Sequence, residues 1–126
     1  MGLGRRVLVV DDDEGMREAL KNLLDAAGFV PVAFGTAEAL LQDCIIDGAV
    51  CLISDLRLPS MSGLELLTAL RARGEQIPVI AITAHDEPGV GDHAMRCGAA
   101  AYLAKPFLGS ALLAAIERVA VSSSSK

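Results

Sequence analysis

The sequence predicts an open α/β sheet of parallel strands with helices on both faces. Two observations predict it: short apolar runs recur at even intervals, and stretches with a helical period separate them. Parallel strands need long crossovers, and helical crossovers cover both faces of the sheet they join. At 126 residues the chain fits one domain and can bury a working core. Hydrophobic residues make up 52% but aromatics only 3%, with no Trp and one Tyr. The core is therefore expected to be aliphatic.

Each element has its own warrant. The runs "VLVV" (Val7–Val10), "VPVAF" (Val30–Phe34), "VCLI" (Val50–Ile53) and "VIAI" (Val79–Ile82) are short and β-branched, which suits strands covered on both faces; "AYL" (Ala101–Leu103) is a weaker fifth. Met16, Leu20, Leu23, Leu24 and Ala27 make a first helical stripe, with Gly28 placed to end it. Ala37, Leu40, Leu41 and Cys44 make a second, opened by Thr36 as N-cap. Leu64, Leu67 and Leu70 form a third; Leu112, Leu113, Ile116, Val119 and Ala120 form the fifth. The fourth helix, within "DEPGVGDHAMRCG", carries Gly89 and Gly91, so it is expected to start late or fray. The closing "SSSSK" reads as structureless linker, giving a domain over 5–121 and a polar tail over 122–126.

Composition removes several function classes. A net charge of −5 argues against direct nucleic-acid binding, because phosphate backbones attract Lys and Arg. No apolar run reaches the ~18 residues of a membrane span, and the N-terminus lacks a signal peptide's apolar region. Cys44, Cys51 and Cys97 form no CxxC pair and read as reduced core thiols, which suits a cytoplasmic protein.

In such a sheet, ligands bind at the carboxyl ends of the strands. Those ends hold Asp11, Asp12 and Asp13 after the first strand, Ser54 and Asp55 after the third, Thr83 after the fourth and Lys105 after the fifth. Clustered carboxylates resist ionising together unless a cation sits among them. A hard divalent ion, Mg²⁺, accepts one or two carboxylates with waters and a phosphate. Asp55, alone at its strand end, is the candidate nucleophile toward phosphorus, with Thr83 and Lys105 to bind phosphoryl oxygens.

The segments "VVDDDE", "ISDLRLPSMSG", "ITAHD" and "AYLAKPF", in this order and spacing, resemble the receiver domain of two-component response regulators. The resemblance covers about Val7 to Val119 and is nearest to receivers of the nitrogen-fixation regulator type. It implies a flavodoxin-like doubly wound (βα)5 fold, with strand order 2-1-3-4-5. It further implies that Asp55 accepts a phosphoryl group from a sensor histidine kinase in a Mg²⁺-dependent reaction. Asp12 would bind Mg²⁺ directly, Asp11 through water, and Arg57 by its backbone carbonyl. Thr83 matches the switch hydroxyl, Tyr102 the switch aromatic, Lys105 the phosphate-binding lysine, and Pro59 and Gly63 the turn after the third strand. The Lys105–Pro106 bond is usually cis in this family. The domain would act as a signalling switch, catalysing only its own phosphorylation and dephosphorylation. The surface of the fourth helix, fifth strand and fifth helix would change shape to control an output, a DNA-binding domain outside this chain. The resemblance also allows a homodimer formed on phosphorylation.

Other readings compete. The three N-terminal acids could simply complement a helix dipole, Thr83 could cap the next helix, Tyr102 could be ordinary packing and His85 an exposed loop residue. An aspartate-dependent phosphohydrolase wants a second Asp two residues after its nucleophile; Arg57 stands there for Asp55, although Asp13 follows Asp11 at that spacing. A flavin protein would need a phosphate cradle where "DDDEG" repels one. A pseudo-receiver normally loses Asp55 or Lys105, and both are present.

Overall fold

In the computed structural model, which describes residues 5–42, 46 and 48–124, five strands alternate with five helices. They are β1 (Arg5–Val10), α1 (Glu14–Ala26), β2 (Phe29–Phe34), α2 (Ala37–Leu41), β3 (Cys51–Asp55), α3 (Gly63–Ala72), β4 (Val79–Thr83), α4 (Val90–Arg96), β5 (Ala101–Ala104) and α5 (Gly109–Ser124). All strand pairs are parallel and the order is β2-β1-β3-β4-β5. Both the predicted fold class and the predicted strand order are observed.

The period of two along each strand splits the core into two layers. Val7, Val9, Ile53, Ile80 and Ile82 face α1 and α5, meeting Leu20, Leu24, Leu112, Ala115 and Ile116. Leu8, Val10, Leu52, Val79 and Ala81 face the other way, onto Leu40, Leu66, Leu67, Leu70 and Ala94. Nearly all of these are branched aliphatics, as the lack of aromatics requires. Among the described residues, no helix is long and apolar enough to cross a membrane.

Several sequence expectations need correction. β2 is an edge strand, with Val30 exposed and residues 31–34 half-buried, and is not covered on both faces; Pro31 is tolerated there because an edge leaves amide positions unpaired. In α3 the buried stripe is Gly63, Leu66, Leu67 and Leu70, with Leu64 only half-buried. Leu67 and Leu70 hold their predicted places, while Gly63 and Leu66, not Leu64, complete the i, i+3, i+4, i+7 face. In α5, Ala115 joins the buried face and Ala120 is half-buried. That helix also runs through Ser124, so Ser122–Ser124 are helical and not structureless. Extending an existing helix avoids the nucleation cost, and Ser is only a moderately poor helix former. Cys44 lies outside the described residues, as do Ser125 and Lys126. Cys51 is buried as expected, but Cys97, the C-cap of α4, is exposed.

The helix signals behave as their chemistry dictates. Thr36 Oγ1 accepts from the Ala39 amide at 3.1 Å, and Gly28 takes φ +93° just past α1, a conformation glycine adopts without a Cβ penalty. Ser62 and Glu65 form a reciprocal capping box on α3. α4, by contrast, starts at Val90 behind Gly89, which offers no side-chain cap. It is the late-starting helix the glycines foretold.

Leu52 is fully buried in the central strand β3. Leu52→Ala is expected to cost about 2–5 kcal/mol, read as a lower urea midpoint at unchanged slope. A loss under ~1 kcal/mol would contradict this packing.

Candidate functional site

Strand register assembles the site. Val10 pairs with Ser54, so Asp11 and Asp55 emerge side by side at the carboxyl edge. Asp55 pairs with Ile82 and Thr83 with Ala104, which brings Thr83 and Lys105 to the same edge. The Lys105 amide donates to the Thr83 carbonyl at 2.7 Å, extending this register one residue past β5. The Lys105–Pro106 peptide is cis.

The three consecutive aspartates divide the work. Asp11 is fully buried; its Oδ1 accepts from the Asp13 amide at 2.9 Å and its Oδ2 from Lys105 Nζ at 2.9 Å. Asp13 caps α1, accepting from the Gly15 amide at 3.1 Å. Asp12 is exposed and makes no hydrogen bond among the described residues through its carboxylate. The helix-start reading is therefore correct for Asp13 alone.

Asp55 repeats the geometry of Asp11. Its Oδ1 accepts from the Arg57 amide at 2.9 Å and its Oδ2 from Lys105 Nζ at 2.9 Å. Each carboxylate thus has one oxygen fixed by the backbone two residues on, the Asx-turn arrangement. The other oxygen of each lies on one shared ammonium. One carboxylate oxygen from each of Asp11, Asp12 and Asp55 lies within 4.8 Å of the other two.

The electrostatics follow from burial. Burial pushes the Asp11 carboxyl above its usual range, opposed by the Asp13 amide and by Lys105. Burial pulls Lys105 down, yet its hydrogen bonds and attraction to Asp55 and Asp11 prevail, and its pKa is raised. Three acids around one ammonium leave the cluster net negative. An all-oxygen donor set with an exposed carboxylate fits a hard divalent cation, and Mg²⁺ suits it. Asp11, Asp12 and Asp55 would hold the ion, which would neutralise charge on a phosphoryl group.

Thr83 is buried, and its Oγ1 accepts from the His85 amide at 3.0 Å. Its own hydroxyl proton has no acceptor among the described residues. Tyr102 points elsewhere: its hydroxyl donates to Asp86 Oδ1 at 2.6 Å. Its ring lies against Gly91, where an added Cβ would stand 3.0 Å from two ring carbons. Partial burial and the Asp86 carboxylate push the Tyr102 hydroxyl up to about 12. Asp86 as the partner of Tyr102, and Gly91 as the seat of its ring, were missed from sequence, although a half-buried Tyr hydroxyl wants a partner and "HDE" offered carboxylates.

Two further residues position the site. Arg17 Nη1 donates to the Asp11 carbonyl at 2.7 Å, tying α1 to the end of β1. Gly63 lies so close to the Asp55 carbonyl that any Cβ would collide with it. Its place after Pro59 is therefore a matter of space beside Asp55 as well as of turn geometry.

Fold and site together define a doubly wound α/β module with a carboxylate cluster and lysine at its carboxyl edge. The family model described as the response regulator receiver domain matches residues 7–117, and the chain belongs to that family. It is 43% identical over 110 residues to nodulation protein W of Bradyrhizobium diazoefficiens, covering 87% of this chain and 48% of that protein. It is 40% identical over 110 residues to the transcriptional regulatory protein FixJ of Azorhizobium caulinodans, covering 87% and 52%. The crystal structure of FixJ-N superposes with TM-score 0.84 at 37% identity, over 92% of this chain and 93% of that one. Full-length FixJ from B. japonicum gives 0.86 at 35%, over 99% and 61%. The chain spans about half the length of the curated relatives it matches.

Tyr102 is the sole tyrosine and there is no Trp, so ultraviolet titration reads it alone. Its tyrosinate is expected to form near pH 12, with the folded state losing stability as pH rises through the unfolded value of about 10. Asp86→Asn removes a like-charge penalty and is expected to lower that midpoint toward 10 without reaching it, since burial remains. An unchanged midpoint would place the Tyr102 hydroxyl away from Asp86.

Proposed function

We propose that this chain accepts a phosphoryl group on Asp55 from a partner histidine kinase, in a Mg²⁺-dependent reaction. The observation that carries the reading is the single Lys105 ammonium shared by Asp11 and Asp55, with Asp12 exposed beside them. An Asp55 oxygen attacks phosphorus in line. The phosphorus–nitrogen bond of the donor phosphohistidine breaks, its electron pair stays on the imidazole, and that nitrogen takes up a proton from solvent. Arg57's amide keeps the Asp55 carboxylate aimed while it reacts. Lys105 moves its Nζ from carboxylate to phosphoryl oxygen, exchanging one anionic partner for another. Bound Mg²⁺ supplies positive charge for the developing phosphoryl oxygens.

Thr83, with its hydroxyl proton unused, then donates to a phosphoryl oxygen. The end of β4 is drawn inward and Tyr102 leaves Asp86. The surface of α4, β5 and α5 changes as one two-state element. α4 is short and uncapped, which suits a segment that moves. The same Asp55 site would later release phosphate by attack of water.

The output we propose is a DNA-binding transcription-regulator domain beyond this chain. Supporting it, FixJ relatives are called transcriptional regulatory proteins, and the matched region is about half of each. On this reading residues 5–121 form the receiver and the remainder leads toward the output, in the cytoplasm. Pairing of two phosphorylated copies is part of the same proposal.

Incubation with acetyl phosphate tests the chemistry by intact mass. One phosphoryl group is expected with Mg²⁺, none without it, and none in Asp55→Asn. Mg²⁺-dependent labelling that persists in Asp55→Asn would move the acceptor to another residue. No labelling of the unaltered chain would reduce the domain to a constitutive binding module.

A further inference from the structure

Among the described residues, His93 and Cys97 place two metal-ligating side chains together outside the carboxylate cluster. His93 is the fourth residue of α4 and Cys97 follows its last residue, four positions on. Residues at that spacing share one helix face. The Cys97 Sγ lies 3.8 Å from His93 Nε2. Both residues are exposed, and neither side chain makes another hydrogen bond or ion pair among the described residues.

We infer that His93 and Cys97 form a two-donor site for a borderline-soft divalent cation of the zinc class. The separation of the donors carries the inference. With a metal–sulfur bond of about 2.3 Å and a metal–nitrogen bond of about 2.0–2.1 Å, two donors 3.8 Å apart subtend about 120° at the ion, near the tetrahedral range. Only small adjustments of the side chains are needed to seat it. Their exposure leaves two coordination positions for water. The donor types also separate this site from the first one: imidazole and thiolate select zinc-class ions, whereas an all-carboxylate site suits Mg²⁺. On binding, Cys97 coordinates as thiolate and its proton passes to solvent; His93 binds through neutral Nε2.

The ion has a structural consequence. α4 has seven residues, a glycine at its N-cap with φ +87° and no capping side chain. A chelate spanning its last turn closes a ring whose donor separation the helical form already holds. The ion thereby stabilises helical α4 over its frayed states by mass action. This step concerns the helix itself and stands whether or not Asp55 is phosphorylated.

Co²⁺ is the probe, added to the full chain with Mg²⁺ in excess so that the carboxylate cluster is occupied. The expected result is a near-ultraviolet thiolate-to-cobalt band at one ion per chain, displaced by Zn²⁺. Affinity should fall by about tenfold or more, ~1.4 kcal/mol, in both Cys97→Ser and His93→Gln, and stay unchanged in Cys44→Ser. Both altered positions are exposed, so the variants fold. A band at full strength in His93→Gln, or one lost in Cys44→Ser, overturns the site. With Zn²⁺ bound, amide exchange over residues 90–97 should slow in the unaltered chain and not in the two variants. Exchange unchanged at saturating Zn²⁺ overturns the helix clamp.

Discussion

The site depends on one ammonium between two buried carboxylates. Asp11 and Asp55 come from adjacent strands and would repel each other at the sheet edge; Lys105 Nζ, 2.9 Å from each, makes their proximity tolerable. An uncompensated charge in such a place would cost several kcal/mol. The surrounding structure serves that arrangement. Strand register sets the three backbone positions, two Asx turns aim the free oxygens, and Arg17 anchors the end of β1. Gly63 leaves the space that lets the start of α3 close over Asp55. One ammonium between two carboxylates already leaves a negative balance, and Asp12 adds a third carboxylate to it. A protein-supplied counter-ion and an incoming cation would therefore compete for these carboxylates.

Away from that cluster the carboxyl edge is held more loosely. Thr83 is tied by one backbone amide, and Tyr102 is directed outward by a single hydrogen bond to Asp86. Gly91 gives the ring its seat, and Gly89 opens α4 without a cap. Rigidity near the aspartates and weak tethering one strand away is the distribution a two-state element requires.

Much of this was legible in the sequence, for identifiable reasons. Aliphatic runs and helical stripes are local signals, and they placed all ten elements within a few residues. Strand-end chemistry then placed Asp11, Asp55, Thr83 and Lys105 on one edge, since parallel strands present their carboxyl ends together. Residues whose role depends on distant neighbours stayed hidden. Asp86 matters only because Tyr102 reaches it from sixteen residues away, and Leu66 displaced Leu64 because the sheet chose the face. The edge position of β2 depends on strand order, which its own apolar residues do not encode. The exposure of Cys97 depends likewise on how α4 docks. Asp13 was separable from Asp11 and Asp12 only once the start of α1 was known.

Lys105 and a divalent cation would compete for the Asp11 and Asp55 carboxylates. Calorimetric titration with Mg²⁺ at pH about 8, well above the ordinary carboxylate range, tests this competition in the unaltered chain and in Lys105→Met. Removing the ammonium leaves three carboxylates facing one another, so Mg²⁺ should bind tighter by about tenfold or more. Affinity that is unchanged or weaker in Lys105→Met would contradict the shared-ammonium account of the site.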